Sequence, residues 1–198
     1  MREKGVIVMR YVIVIVVVVA LVMSYYVWGP SSRRSHAGNV AKNVSNGSIE
    51  YGNETLASLR GNGLVSLDGT NVRKNLSVNG SLDAKNAHIG QLQVNGKANL
   101  NNCIVEGESQ INGFLQAEKS TFQAPVTLAT HKVKFHDCNI NAIVVKKPAW
   151  TFGTQVVELA NNSICRGPIT FEAGTGKIIL SGDSQVLGST HGVDIEKQ

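Results

Sequence analysis

Apolar residues in the middle of the chain come in pairs separated by one polar position, and small residues interrupt the pairs at fixed intervals. Leu82 and Ala84 are followed by Ala87 and Ile89, then by Leu92 and Val94. The next unit offers Ala98, Leu100, Cys103 and Val105, then Ile111; after it come Leu115, Ala117, Ser120 and Phe122 with Val126 and Leu128. Period-2 alternation in such short runs predicts strands joined by corners. The units recur: Val78-Asn79-Gly80, Val94-Asn95-Gly96 and Ile111-Asn112-Gly113 are 16 and 17 residues apart, and Leu128 and Val145 follow at further steps of 17. Phe171 arrives 26 residues after Val145, one unit plus a nine-residue insertion at about 146–154.

Corner positions form columns. Gly90, Gly107, Ala124-Pro125, Ala142 and Gly167-Pro168 each precede the second strand of a unit, and Gly80, Gly96 and Gly113 mark another corner. Proline is tolerated at the first residue of a strand, and glycine takes the positive φ of a tight corner. A repeat of this kind stacks, each unit burying the face its neighbour leaves bare. The expected fold is all-β: a single-stranded parallel β-helix of about seven 16–17-residue coils between Leu64 and Ser189, within a domain at 64–190 and ahead of a tail at 191–198. Asn79, Asn95 and Asn112 are expected to stack as a ladder at their corner.

The columns also assign directions to individual side chains. Cys103 and Cys138 fall in an inward column with Ala87 and Ser120. Two turns separate them, about 10 Å at a strand spacing near 4.8 Å, beyond the roughly 7 Å Cα separation a disulfide spans. They read as small buried hydrophobes. With Val157, Leu159, Ile164, Ile169 and Phe171 taken as inward after the insertion, Cys165 is expected to point outward, where its thiol could link two molecules. His131, His136 and Asp137 stand beside Cys138, but alternation turns His136 out and Cys138 in, so no metal site is expected. His88 is likewise outward. Glu106, Glu108, Glu118, Glu158 and Glu172 fall in different columns and make no paired-carboxylate cleft. No Ser/His/Asp set and no phosphate-binding loop occurs. The residue pattern therefore predicts no catalytic, cofactor-binding or metal-binding residues.

Ahead of the repeats, Tyr11 to Gly29 carry no charge, and the apolar stretch extends back to Val6 with only Arg10 inside it. At 1.5 Å per residue this crosses a hydrocarbon core of about 30 Å, with Arg10 able to snorkel and Tyr25, Tyr26 and Trp28 placed for an interfacial belt. Residues 1–29 are read as an uncleaved signal-anchor with one transmembrane helix, in contact with membrane through 6–28. A cleaved signal peptide is the rival, with Val22-Met23-Ser24 as its cleavage site. Basic residues flank the run on both sides, so the charge rule leaves orientation open; a targeting role places the body on the extracytoplasmic (periplasmic) side. Residues 30–63, rich in Ser, Asn and Gly, read as a flexible polar linker.

The sequence pI is about 9.2, which raises nucleic acid as a partner. Most of the excess charge, however, lies in residues 1–63, at net +4, against +1 for 64–198. A nearly neutral repeat region with 6% aromatic residues lacks the basic, aromatic-lined face of a nucleic-acid binder.

Gly80-Ser81-Leu82-Asp83-Ala84 and Ile89-Gly90-Gln91-Leu92-Gln93-Val94-Asn95-Gly96 resemble the repeats of bactofilins, the bacterial polymer-forming cytoskeletal family. The resemblance covers about residues 64–190. It implies a β-helical domain with disordered tails that self-assembles end to end, without nucleotide, into filaments serving as scaffolds near membrane and cell wall. The expected function is thus a membrane-anchored, self-assembling scaffold with no enzymatic activity and no cofactor, whose partner is itself through the terminal coils. The alternative is an exported adhesin or glycan-binding solenoid using Trp150 and Phe152, the aromatics of the inserted loop Lys146–Gly153.

Overall fold

The computed structural model describes residues 43–147 and 153–198, and they form a parallel β-solenoid. The register fixes the turns. Ile49, Val65, Leu82, Ala98, Leu115, Val133, Val157, Ile178 and Ile195 stack one above the next, each paired in parallel with its neighbours. Nine turns are therefore present among the described residues, where the repeat predicted about seven.

Each turn has three faces and three corners. The first face carries inward pairs such as Leu82 and Ala84, the second Ala87 and Ile89, and the third Leu92 and Val94, all buried. Their stacking gives one continuous core of Leu, Val, Ile and Ala. Burying each of the larger aliphatic side chains contributes about 1.5–3 kcal/mol relative to leaving it in water. Phe122 and Phe135 pack edge to face in this core, with ring centroids 5.7 Å apart.

The corners explain the small and polar residues. Between the third and first faces lies the Asn-Gly corner, where Gly63, Gly80, Gly96 and Gly113 all have φ between +123° and +135°. A Cβ on any of them would stand 2.1–2.3 Å from the carbonyl oxygen of the glycine one turn earlier, so only glycine stacks there. Between the first and second faces each of the first eight turns takes one left-handed residue, among them Asn86, Asn102, Lys119, Asp137 and Asn161. Asparagine and aspartate are the side chains that tolerate this region best. Gly90, Gly107 and Gly167 mark the third corner, before the third face, as the sequence columns anticipated.

The stack is longer at both ends than the sequence analysis proposed. Strands Asn43–Gly52, Thr55–Leu56 and Leu59–Asp68 occupy much of the stretch read as linker. There Asn46-Gly47 and Asn62-Gly63 occupy the same corner column as Asn79-Gly80. The outward Ser, Asn and Gly of these turns have linker-like composition, and Ile49, Leu56 and Leu59 are too sparse to announce strands. At the other end, strand Asp194–Lys197 pairs with Lys177–Leu180, so residues 191–198 belong to the ladder rather than to a tail.

Cys165 is a correction. It is buried, stacked between Ile140 and Val186, while Ile164 is the half-buried outward neighbour. The insertion caused the error. Cys138 stacks with Ser163, 25 residues on, so Ser163 takes the inward small-residue position and Cys165 the position two residues later. Hydrophobicity alone had favoured Ile164.

No helix among the described residues is long and apolar enough to cross a membrane. The apolar run at 6–28 lies outside the described residues.

Candidate functional site

Most of the polar groups picked out by the sequence serve the stack itself. The first inward position of the second face is occupied by Thr70, Ala87, Cys103, Ser120, Cys138, Ser163 and Ser184 in successive turns. Here the left-handed corner interrupts the ladder, and hydroxyls and thiols bond the backbone in its place. Ser120 Oγ donates to the Glu118 carbonyl at 2.8 Å and accepts from the Cys103 N–H at 3.1 Å. Ser163 Oγ donates to the Ala160 carbonyl at 2.8 Å and accepts from the Cys138 N–H at 3.1 Å. The Cys103 and Cys138 thiols donate to the Ala84 and Ala117 carbonyls at 3.3 and 3.4 Å. Burial pushes the Cys138 and Cys165 thiols up to about 11 and raises that of Cys103. All three cysteines are free and buried, so none is placed to link two molecules.

His136 and Asp137 sit on the surface of the second corner. The His136 ring meets the Asn161 amide, and Asp137 accepts from the Asn161 and Asn162 side chains and from the Asn162 N–H. Those bonds, the one from Asn161 foremost, hold its carboxyl below the ordinary range. Cys138 faces the core behind them. Among the described residues no group of three or more His, Cys, Asp or Glu is placed to hold a metal ion.

The acidic residues are dispersed into local pairs. Glu106 meets His88 at 2.7 Å, Glu158 meets Lys132 at 3.0 Å, and Glu172 meets Lys146 at 2.5 Å. The base of the insertion is pinned by Gln155, whose buried amide donates to the Thr130 and Lys146 carbonyls at 2.9 and 3.0 Å. Trp150 and Phe152 lie outside the described residues.

The C-terminal turn is different in kind. Whereas Ile178 and Cys165 are sealed, Ile195 is 48% and Leu187 61% exposed. Between them lies a hollow of about 560 Å³ that also touches Leu180, Ser184 and Val186. Strand Asp194–Lys197 pairs on one side with Lys177–Leu180 and has no strand on its other side among the described residues. Core side chains and an open parallel edge thus reach the surface together. This turn lies beyond residue 190, where the repeat pattern places the end of the domain. The continuation of alternation through Val193, Ile195 and Lys197 was the available signal.

The fold and its corners define a parallel β-solenoid, the architecture of β-helix families. No family model matches the chain, and no curated protein or solved structure is significantly similar to it.

Proposed function

We propose that this chain is a membrane-anchored, self-assembling scaffold of the bactofilin kind, and not an enzyme. The carrying observation is the C-terminal turn, where Ile195 and Leu187 stand exposed beside the edge of Asp194–Lys197 that no strand among the described residues covers. An uncovered parallel edge is a template for another strand, and in this stack the natural cover for a turn is another turn. End-to-end contact between two different surfaces that adds turn upon turn along the solenoid axis does not close into a ring, so it propagates as a filament. The apolar run at 6–28 supplies the anchor, with the solenoid on the extracytoplasmic side. A scaffold role also accommodates outward columns in which carboxylates meet lysines instead of converging.

Sedimentation of the full chain in detergent, with electron microscopy of the same sample, tests this reading. The expected result is concentration-dependent growth into filaments, abolished by Ile195→Glu combined with Leu187→Glu. A parent chain that remains monomeric at high concentration would sink the proposal.

A further inference from the structure

The third face holds a groove of about 510 Å³ that spans four successive turns, floored by the strands at Leu59, Leu76 and Leu92. Along it Arg60, Ser77, Gln93 and Gln110 stand in register, each one turn above the last. Asn75 and Gln91 form a second row beside them. Beside it, between Val72 and Asn75, the register shifts by one residue, as in a β-bulge, and Arg73 and Lys74 line a neighbouring hollow. Gly90 lies against their carbonyls, where a Cβ would come within 2.4–2.5 Å.

Two sets of amides lie side by side on this part of the surface, and their states differ. On the corner, Asn79, Asn95 and Asn112 spend their amides on one another, at 2.8 and 2.7 Å. Two residues before each, Ser77, Gln93 and Gln110 are aimed into the groove, and among the described residues their side chains make no bond to the protein. Each carboxamide offers two donors and an acceptor, and each hydroxyl one donor and two acceptor lone pairs. The charges are balanced, with Arg60 toward one end and Glu108 toward the other. A polyphosphate backbone would need an unbroken basic track, which this groove lacks.

The geometry points to a linear β-1,4-linked glycan as the ligand of this groove, laid along the solenoid axis. Two turns of a parallel ladder rise about 9.6 Å, close to the length of one disaccharide in such a chain, so Ser77 and Gln110 meet chemically equivalent sugars. Hydroxyl and acetamido groups, which both donate and accept, match a row of amides better than any singly charged polymer does. The site is distinct from the C-terminal turn and from the loop of Trp150 and Phe152, and it does not depend on assembly.

Isothermal titration of the full chain with the hexasaccharide of β-1,4-linked N-acetylglucosamine tests it. Saturable binding is expected, weakened at least tenfold by Gln93→Ala with Gln110→Ala and also by Ser77→Arg, which fills the groove. Asn99→Ala with Gln116→Ala, a stacked pair on the first face, is expected to leave binding within twofold of the parent. Absence of saturable binding overturns the inference, as does equal weakening by the first-face pair. Because binding is read whether the chain is single or assembled, failure of filament formation would leave this result standing.

Discussion

The Nδ2 of Asn95 donates to the Oδ1 of Asn79, one turn away and 2.8 Å distant, and that bond is one rung of a directional ladder. Asn62 donates to Asn46, Asn79 to Asn62, and Asn112 to Asn95, at 2.9, 3.0 and 2.7 Å. Removing the Asn95 amide breaks two exposed rungs, each contributing about 0.5–1.5 kcal/mol. Asn95→Ala is therefore expected to cost about 1–3 kcal/mol in urea unfolding. Gly96→Ala, one residue on, should be worse, at about 3 kcal/mol or more. It places a Cβ at φ +135° and 2.1 Å from the Gly80 carbonyl oxygen. If the alanine at 96 costs less than that at 95, the stacked-glycine account of this corner is wrong.

Sealed thiols make a second prediction. With Cys138 and Cys165 held up to about 11 against an ordinary 9.0, the folded chain keeps protons that the unfolded chain loses between those values. Stability is thus full below pH 9 and declines as pH rises from 9 toward 11. A thermal midpoint followed across that window should fall, and Cys138→Ser with Cys165→Ala should flatten the fall. At pH 8 an alkylating reagent should leave all three cysteines unmodified until denaturant is added. Rapid labelling of Cys165 in the native chain would restore the outward placement that the structure rejects.

The physics of the columns determines how much of this was legible in advance. Corners at Gly80, Gly96 and Gly113 could be read because glycine is the only residue that fits them, and inward Leu, Val and Ile because alternation is strict there. Asn46-Gly47 and Asn62-Gly63 carried the same corner chemistry, but their turns bury few large side chains, and polar outward residues made the segment resemble a linker. Phase was lost at the insertion. Ser163 belongs inward because its hydroxyl donates to the Ala160 carbonyl and accepts from the Cys138 N–H, a role that hydropathy ranks below an isoleucine. The Asn ladder could be read from its repeated corner, but the groove on the third face could not, since it depends on how side chains from four turns stand together.

Gln155 shows how an insertion is tolerated in a stack. Its amide closes the gap between the Thr130 and Lys146 carbonyls and is itself buried. Gln155→Leu keeps the bulk but leaves both carbonyls without that donor. The expected loss is about 1–3 kcal/mol. Trypsin cleavage after Lys146 should also accelerate in the variant. Unchanged stability and unchanged cleavage would mean that the insertion is held elsewhere.

The last strand should loosen in acid. Glu196 is held below the ordinary carboxylate range, first by its bond from Lys177 and then by one from Gln198. Lys177 belongs to the preceding turn, whose strand carries the whole of Asp194–Lys197. Because the folded carboxyl titrates below the unfolded one, its contribution is complete above the unfolded value and is lost as pH falls through the folded one. Protection factors of the amides in Asp194–Lys197, which divide out the intrinsic exchange rate, should therefore drop on acidification below about pH 4, while those of Leu115–Ala117 hold. Glu196→Gln should show reduced protection already at neutral pH and a flatter dependence on acid. Fraying of this strand exposes more of Leu180 and removes the edge on which a second copy would stack, so filament growth should weaken over the same range. Growth that persists while the strand has lost its protection would show that the contact between copies lies elsewhere.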